Sequence, residues 1–220
     1  MISVAGVTVA YGDLVAVDDV SFDVPPGFVL AVSGPSGAGK SSLLWAIAGA
    51  VEVLTGKVTV DDLVISDRPA AAAHGVVLIP QGNGLARVLT ARENLTIPLL
   101  AGGRDPDEVQ AAAEAVLEAV GLAESGDHLV EELSGGEQQR VAVARGIAQG
   151  GRVILADEST SELDSTNRER VLTLLRTQAD RGAAVVIATH DPTVADAADG
   201  HAVMDEGRLS WARRLSVDRP

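Results

Sequence analysis

Hydrophobic and polar positions alternate in two distinct ways along this chain. In residues 1–33 apolar side chains recur with period two, as in Val15-Ala16-Val17-Asp18-Asp19-Val20-Ser21-Phe22-Asp23-Val24, and Pro25-Pro26-Gly27 closes the pattern with a turn. That predicts two or three strands, at least one of them half-buried. Elsewhere the apolar residues form short unbroken runs: Phe28–Ser33, Gly75–Pro80, Arg152–Glu158 and Ala183–Thr189. Such runs predict strands buried on both faces, as in the sheet of an α/β protein. Residues 56–60 and 63–65 read as short strands around an Asp61-Asp62 turn, and residues 201–210 as a hairpin turning at Asp205-Glu206-Gly207.

From residue 84 to 150 the strand pattern stops. Asp105 followed by Pro106 predicts a helix start, because the carboxylate caps free amides and proline suits the first helical position. Val109, Ala112, Ala113, Val116, Leu117 and Val120 then recur at helical spacing up to Gly121. A second helix is predicted from Ser134 to about Gln149, with Ser134 and Glu137 spaced as a capping box. The same serine, with flanking Gly135 and Gly136 and the first amides of the helix, equally suits an anion, and the two readings are compatible.

Composition narrows the class. The chain has 220 residues, 46% hydrophobic and 22% charged, which is globular, and its 2% aromatic content leaves the core to Val, Leu, Ile and Ala. A net charge of −14 gives no general attraction to a nucleic-acid backbone or to anionic lipid. Without cysteine there are no disulfides, thiolate zinc sites or iron–sulfur ligands. Neither a signal-peptide pattern nor an apolar run of membrane-spanning length is visible, so any action at a membrane is expected to need another chain. The basic tail from Trp211 is expected to be poorly ordered.

The most informative stretch is Gly34-Pro35-Ser36-Gly37-Ala38-Gly39-Lys40-Ser41, which fits G-x-x-x-x-G-K-S/T between a predicted strand and a helix over Ser42–Ala48. Glycines let backbone amides face a β-phosphate without obstruction, and the helix directs its positive end at the same anion. Lys40 then reaches the β- and γ-phosphates, and the Ser41 hydroxyl suits Mg²⁺. Three other strands end in polar groups, where ligands of α/β sheets bind. Asp157 is placed for the Mg²⁺ shell, and Glu158 to accept a proton from water. His190 is placed to donate to a γ-phosphate. Gln81 offers an amide to Mg²⁺ or water, or is an ordinary loop residue. Tyr11 either packs in its strand or presents its ring to an adenine.

These pieces in this order resemble the ATP-binding cassette (ABC) ATPase family over nearly the whole chain. The most specific element is Leu133-Ser134-Gly135-Gly136-Glu137, similar to the family signature. Tyr11 resembles the adenine-stacking aromatic, Gln81 the Q-loop, Asp157-Glu158 the Walker B pair, Ser161-Glu162-Leu163-Asp164 the D-loop and His190 the switch histidine. Residues 89–99 resemble the small subunits of macrolide-export, lipoprotein-release and cell-division systems. Where the family usually has D-E-P-T, this chain has Asp157-Glu158-Ser159-Thr160, so the rigid φ of proline is lost before the D-loop.

The resemblance implies an α/β fold: a P-loop NTPase core with a mainly parallel sheet, an N-terminal antiparallel β-subdomain and an inserted α-helical subdomain at about 84–150, all in one domain, 1–220. It implies ATP and Mg²⁺ held by Tyr11, the loop Ser36–Ser42, Gln81, Asp157, the signature Ser134–Glu137 and Asp164. Lys40, Gln81, Glu158 and His190 are implied in hydrolysis. Two copies, or this chain and a related ATPase subunit, would pair head to tail, each ATP lying between the Lys40 loop of one and Ser134–Gly136 of the other. The implied partner is an integral membrane permease reached through the groove near Gln81, at the cytoplasmic face of the membrane; nucleic acid is not implied. The alternatives within the family are a cell-division regulator and a soluble iron–sulfur assembly ATPase.

Overall fold

The computed structural model describes residues 1–82 and 84–215. It separates into two compact units, Met1–Leu78 with Gly151–Glu158 and Arg176–Pro220, and Ile79–Gly150 with Ser159–Leu175.

In the first unit, β1 (Ile2–Tyr11), β2 (Leu14–Val24), β4 (Thr55–Val60) and β5 (Leu63–Val64) form a sheet in the order β2-β1-β4-β5, each neighbouring pair antiparallel. Alternation fixes which face is covered: Ile2, Val4, Val7 and Val9 are buried, and the phase slips between Val4 and Val7, where Gly6 takes a positive φ. The expected turn between β4 and β5 holds both Asp61 and Asp62 in the left-handed region.

The unbroken apolar runs form the second sheet. β3 (Val29–Ser33), β6 (Val76–Ile79), β7 (Val153–Asp157), β8 (Ala184–Thr189), β9 (Gly200–Asp205) and β10 (Arg208–Arg213) lie in the order β10-β9-β3-β8-β7-β6. The pairs β3–β8, β7–β8 and β3–β9 are parallel, and β9–β10 is antiparallel. Every residue of β7 and β8 is buried, which is why their sequences show no alternation. One core joins Val4 and Phe22 of the first sheet, Leu43 and Leu44 of α1 (Lys40–Ile47), and Leu30, Leu155 and Val186 of the second. Each such fully buried leucine stabilises the fold by roughly 1.5–3 kcal/mol.

Helix α2 (Arg68–Ala73) is capped by Asp67, and α7 (Pro192–Ala197) by Asp191, each with proline in its first turn. The tail corrects its expectation. Trp211–Arg213 belong to β10, and the Arg213 guanidinium donates to the carbonyls of Ala195 and Ala198 at 2.8 and 2.7 Å, closing the end of α7. Arg214 stacks over the Trp211 ring at 6.0 Å. Residues 216–220 of that tail lie outside the described residues.

The second unit is built on α3 (Ala91–Ala101), α4 (Pro106–Ala119) and α5 (Gly135–Gln149). Asp105 caps α4 as its sequence predicts, accepting from the amides of Asp107 and Glu108. Val109, Ala113 and Leu117 of α4 pack with Leu95 and Leu99 of α3 and Val141 and Ala144 of α5 in a core of their own. Helix α6 (Ser165–Asp180) follows, with Val171, Leu175 and Ala179 buried at i, i+4, i+8.

Candidate nucleotide site and signature cavity

Strand register assembles the first constellation. Ser33 pairs with Thr189, and Ala188 with Asp157, so β3, β8 and β7 end at one level and their following residues converge. After β3 comes the phosphate loop. Gly39 has φ 100, and a Cβ there would lie 2.0 Å from the Ala16 carbonyl oxygen; one on Gly34 would lie 2.1 Å from that of Met204. Only glycine fits either position. Ser36 and Gly37 are exposed, whereas the Ala38 methyl is buried in the core.

Lys40 begins α1 and is only 7% exposed. Its ammonium donates to the carbonyls of Gly34 (2.8 Å) and Pro35 (3.0 Å) and stands 3.7 Å from Glu158 Oε1. The Ser41 hydroxyl donates to Asp157 Oδ1 at 3.0 Å. Asp157 is fully buried, and its Oδ2 has no hydrogen-bond partner among the described residues. Burial pushes the Asp157 carboxyl above its ordinary range; the Glu158 charge adds to this, and the Ser41 bond opposes it.

Glu158 sits at φ 50, and its amide donates to the Ala188 carbonyl. Holding a glutamate left-handed costs on the order of 1 kcal/mol and turns its carboxylate back to the strand ends. There Glu158 Oε2 lies 2.8 Å from His190 Nδ1. With Glu158 as carboxylate, that nitrogen carries the proton and Nε2 is the ring's other hydrogen-bonding atom. Tyr11, 44% exposed, donates its hydroxyl to Ser42 Oγ at 3.4 Å, which ties the aromatic ring to the first turn after the phosphate loop. Lys40, Ser41, Ser42, Asp157, Glu158, His190 and Tyr11 are therefore in one unit. Among the other histidines, His201 lies in β9, bonded to Ser33 Oγ at 2.7 Å.

An unpartnered buried carboxylate oxygen beside a serine hydroxyl, next to an amide-rich loop with a lysine, fits a divalent cation accompanying a polyphosphate. A prediction follows from the charge buried there. Asp157→Asn removes it while keeping the bond from Ser41, so the variant should be more stable by about 1 kcal/mol, raising Tm by about 2–4 °C at neutral pH. The folded-state pKa is raised, so the penalty exists above that pKa and fades as pH falls through it. Melting curves against pH should show the two proteins converging in acid, with the variant having lost Mg²⁺-dependent activity.

The second constellation lies wholly in the other unit. Ser134, Gly136, Glu137, Arg140, Glu162 and Asp164 are among the residues around a cavity of about 500 Å³ at the start of α5. Glu137 turns back on Ser134, and the capping box is formed. Asp164 accepts from the amide and side chain of Asn167 at 2.8 and 2.9 Å, and the amide bond holds its carboxyl below the ordinary range. Arg140 is 9% exposed and its Nε has no partner among the described residues. The sequence pattern singled out Ser134 and Glu137 but not Arg140, although its place two turns into an otherwise apolar helix face was a usable signal. Gln81 is exposed in the turn after β6, in this second unit. Ser159 is fully buried with its hydroxyl unpaired among the described residues.

A family model described as ABC transporter matches residues 17–161. The chain belongs to the ABC transporter family. It is 40% identical over 212 residues to a hemin import ATP-binding protein of Rhodococcus jostii, covering 93% of this chain and 72% of that one. It is 38% identical to a methionine import ATP-binding protein of Rhodopseudomonas palustris, over 91% of this chain and 56% of that one. This ABC chain thus spans little more than half the length of the methionine relative. Among solved structures it resembles a dimeric bacterial ABC transporter cassette, with TM-score 0.89 and 31% identity, covering 97% of this chain and 100% of that one. It also resembles a dimeric cassette in a post-hydrolysis state bound to ADP and Pi, with TM-score 0.87 and 30% identity over the same shares. The α/β cassette fold expected from the motifs is the fold found.

Proposed function

We propose that this chain is the ATP-hydrolysing subunit of an ABC transporter, pairing head to tail with a second copy or a related ATPase subunit to drive a membrane permease. What supports the reading is that one chain carries two constellations whose residue types suit a nucleotide's phosphates, the Lys40 loop and the start of α5, but only a single phosphate loop. A head-to-tail pair gives each nucleotide one of each kind, and the dimeric cassettes among its structural relatives support that arrangement. No described helix is long and apolar enough to cross a membrane; the relatives named as import ATP-binding proteins are what support a separate permease, with this chain at the membrane's cytoplasmic face as part of the same proposal. Relatives named as import subunits favour transport over the cell-division and iron–sulfur alternatives.

In this reading Tyr11 supports the adenine, the amides of Ser36–Ser42 hold the phosphates, and Lys40 leaves its two carbonyls for the β- and γ-phosphates. Ser41 and Asp157 would hold Mg²⁺, which when bound offsets the charge of the phosphate oxygens. Glu158 takes a proton from water as the water oxygen bonds to the γ-phosphorus, and the bond to the β–γ bridging oxygen breaks, releasing ADP and phosphate. His190, oriented by Glu158, steadies the γ-phosphate, and Asp164 lines the approach to it from the signature side.

The test is to capture partners from detergent-solubilised cells of the source organism with MgATP and a hydrolysis-deficient chain as bait. A multi-span membrane protein is the expected result. A soluble scaffold protein with no membrane partner would replace transport with the iron–sulfur alternative.

A further inference from the structure

The Ser134 hydroxyl has a single proton, and the structure shows where it goes. Ser134 Oγ donates to Glu137 Oε2 at 2.7 Å, and the Ser134 amide donates to the same oxygen at 2.9 Å. The return bond, from the Glu137 amide to Ser134 Oγ, is longer at 3.4 Å. Both donors of Ser134 are therefore committed to one carboxylate, and the serine offers its surroundings lone pairs alone. A phosphate oxygen is also an acceptor, so the two do not match as they stand.

Glu137 holds that proton firmly. The Ser134 hydroxyl, and after it the Ser134 amide, keep the Glu137 carboxyl below its ordinary range. A hydrogen bond to an ionised acceptor is roughly twice as strong as one to a neutral acceptor. The surroundings add to the mismatch. Glu162 Oε2 is so close to Gly135 that a Cβ there would lie 3.1 Å from it, and Asp164 borders the same cavity. Arg140 is a cation that faces them, its charge acting on both Glu137 and Asp164.

We propose that Glu137 gates the signature serine: it sequesters the Ser134 hydroxyl proton, and a phosphoryl oxygen of nucleotide on the partner copy gains that proton only by turning it away from Glu137. The inference rests on the head-to-tail reading above. It makes Glu137 a positioning residue acting through Ser134, not a nucleotide ligand, and it sets a threshold on how readily the pair closes.

Glu137→Gln isolates the effect, because glutamine completes a capping box as glutamate does but accepts the hydroxyl proton without charge. In a Glu158→Gln background, the ATP concentration giving half-maximal dimer, read by light scattering after size exclusion, should fall on the order of tenfold. The same substitution in a Ser134→Ala background should change it less than about twofold, since coupled residues lose their joint effect when one is removed. If the Ser134→Ala chain does not dimerise, the comparison is made in high salt. A gain acting through the hydroxyl survives there, whereas a field effect is screened. A gain of equal size without the hydroxyl, a gain lost in salt, or no gain at all overturns the gate. If the Glu158→Gln parent itself stays monomeric with MgATP, the head-to-tail reading fails and the gate falls with it. A dimerising parent with an inert Glu137→Gln change removes the gate alone.

Discussion

Glu158→Gln should reduce steady-state ATP turnover by a factor of about 10²–10⁴ while leaving nucleotide binding intact, the size of loss expected when a positioned general base is removed. The substitution is nearly isosteric, and glutamine meets the same left-handed backbone cost at φ 50 that glutamate does. The amide oxygen can still accept from His190 Nδ1, as Oε2 does at 2.8 Å; the amide NH2 then stands where Oε1 faced Lys40 at 3.7 Å, so the charge attraction there is lost while the shape is kept. Lost with it is the capacity to take a proton from water. Nucleotide that cannot be hydrolysed should then hold the pair together, and a dimer should form with MgATP and not with MgADP. Phosphate release measures the first effect and sedimentation the second. Turnover within a few-fold of the unaltered chain would remove Glu158 from its role; a monomer with MgATP at high protein concentration would count against the head-to-tail pair.

Lys40→Ala should act one step earlier, on binding. The ammonium bonds to two carbonyls of its own loop, at 2.8 and 3.0 Å, and faces one carboxylate. Charge-assisted bonds to a phosphate are stronger than those it exchanges for them, so the lysine contributes to affinity directly. Truncation should raise the ATP dissociation constant by about 10²-fold, taking ~3 kcal/mol for a buried charge-assisted contact and about 1.4 kcal/mol per tenfold. It also leaves Glu158 without its nearby cation, so turnover should fall as well. Titration with a fluorescent ATP analogue measures the first effect apart from the second. Unchanged affinity would remove Lys40 from the nucleotide site.

Legibility in the sequence followed the locality of each cause. The phosphate loop was readable from the fixed spacing of its glycines, Lys40 and Ser41, β7 and β8 because each is an unbroken apolar run ending in a polar residue, and α4 because Asp105, Pro106 and the spacing of Val109, Ala113 and Leu117 agree. Helices α3 and α6 escaped that reading. In α3 the interior Pro98 argues against a helix, although Thr90 and Glu93 form a capping box that announces one. In α6 many charged positions dilute the stripe made by Val171, Leu175 and Ala179. The site was readable as residue types but not as contacts. Glu158 meets His190 because β7 and β8 pair in parallel at one register, across 32 residues of sequence, and no local pattern specifies that. Likewise, Ser134 and Glu137 were readable as a cap, but which of them holds the proton emerges only from the distances.

The position of β3 has a further consequence for how the molecule is made. That strand precedes the phosphate loop, yet its neighbours are β8 and β9, which begin at Ala184 and Gly200. Gly34 and Gly39 are shaped around Met204, which lies near the far end of the chain. At a synthesis rate of about 5–20 residues per second, the nucleotide loop leaves the ribosome roughly ten seconds or more before the strands that frame it exist. A nascent chain stopped short of β8 therefore has the loop sequence without the loop's shape. Nucleotide capture, in the cell, waits on β8 and β9 and not on the loop that carries its sequence pattern.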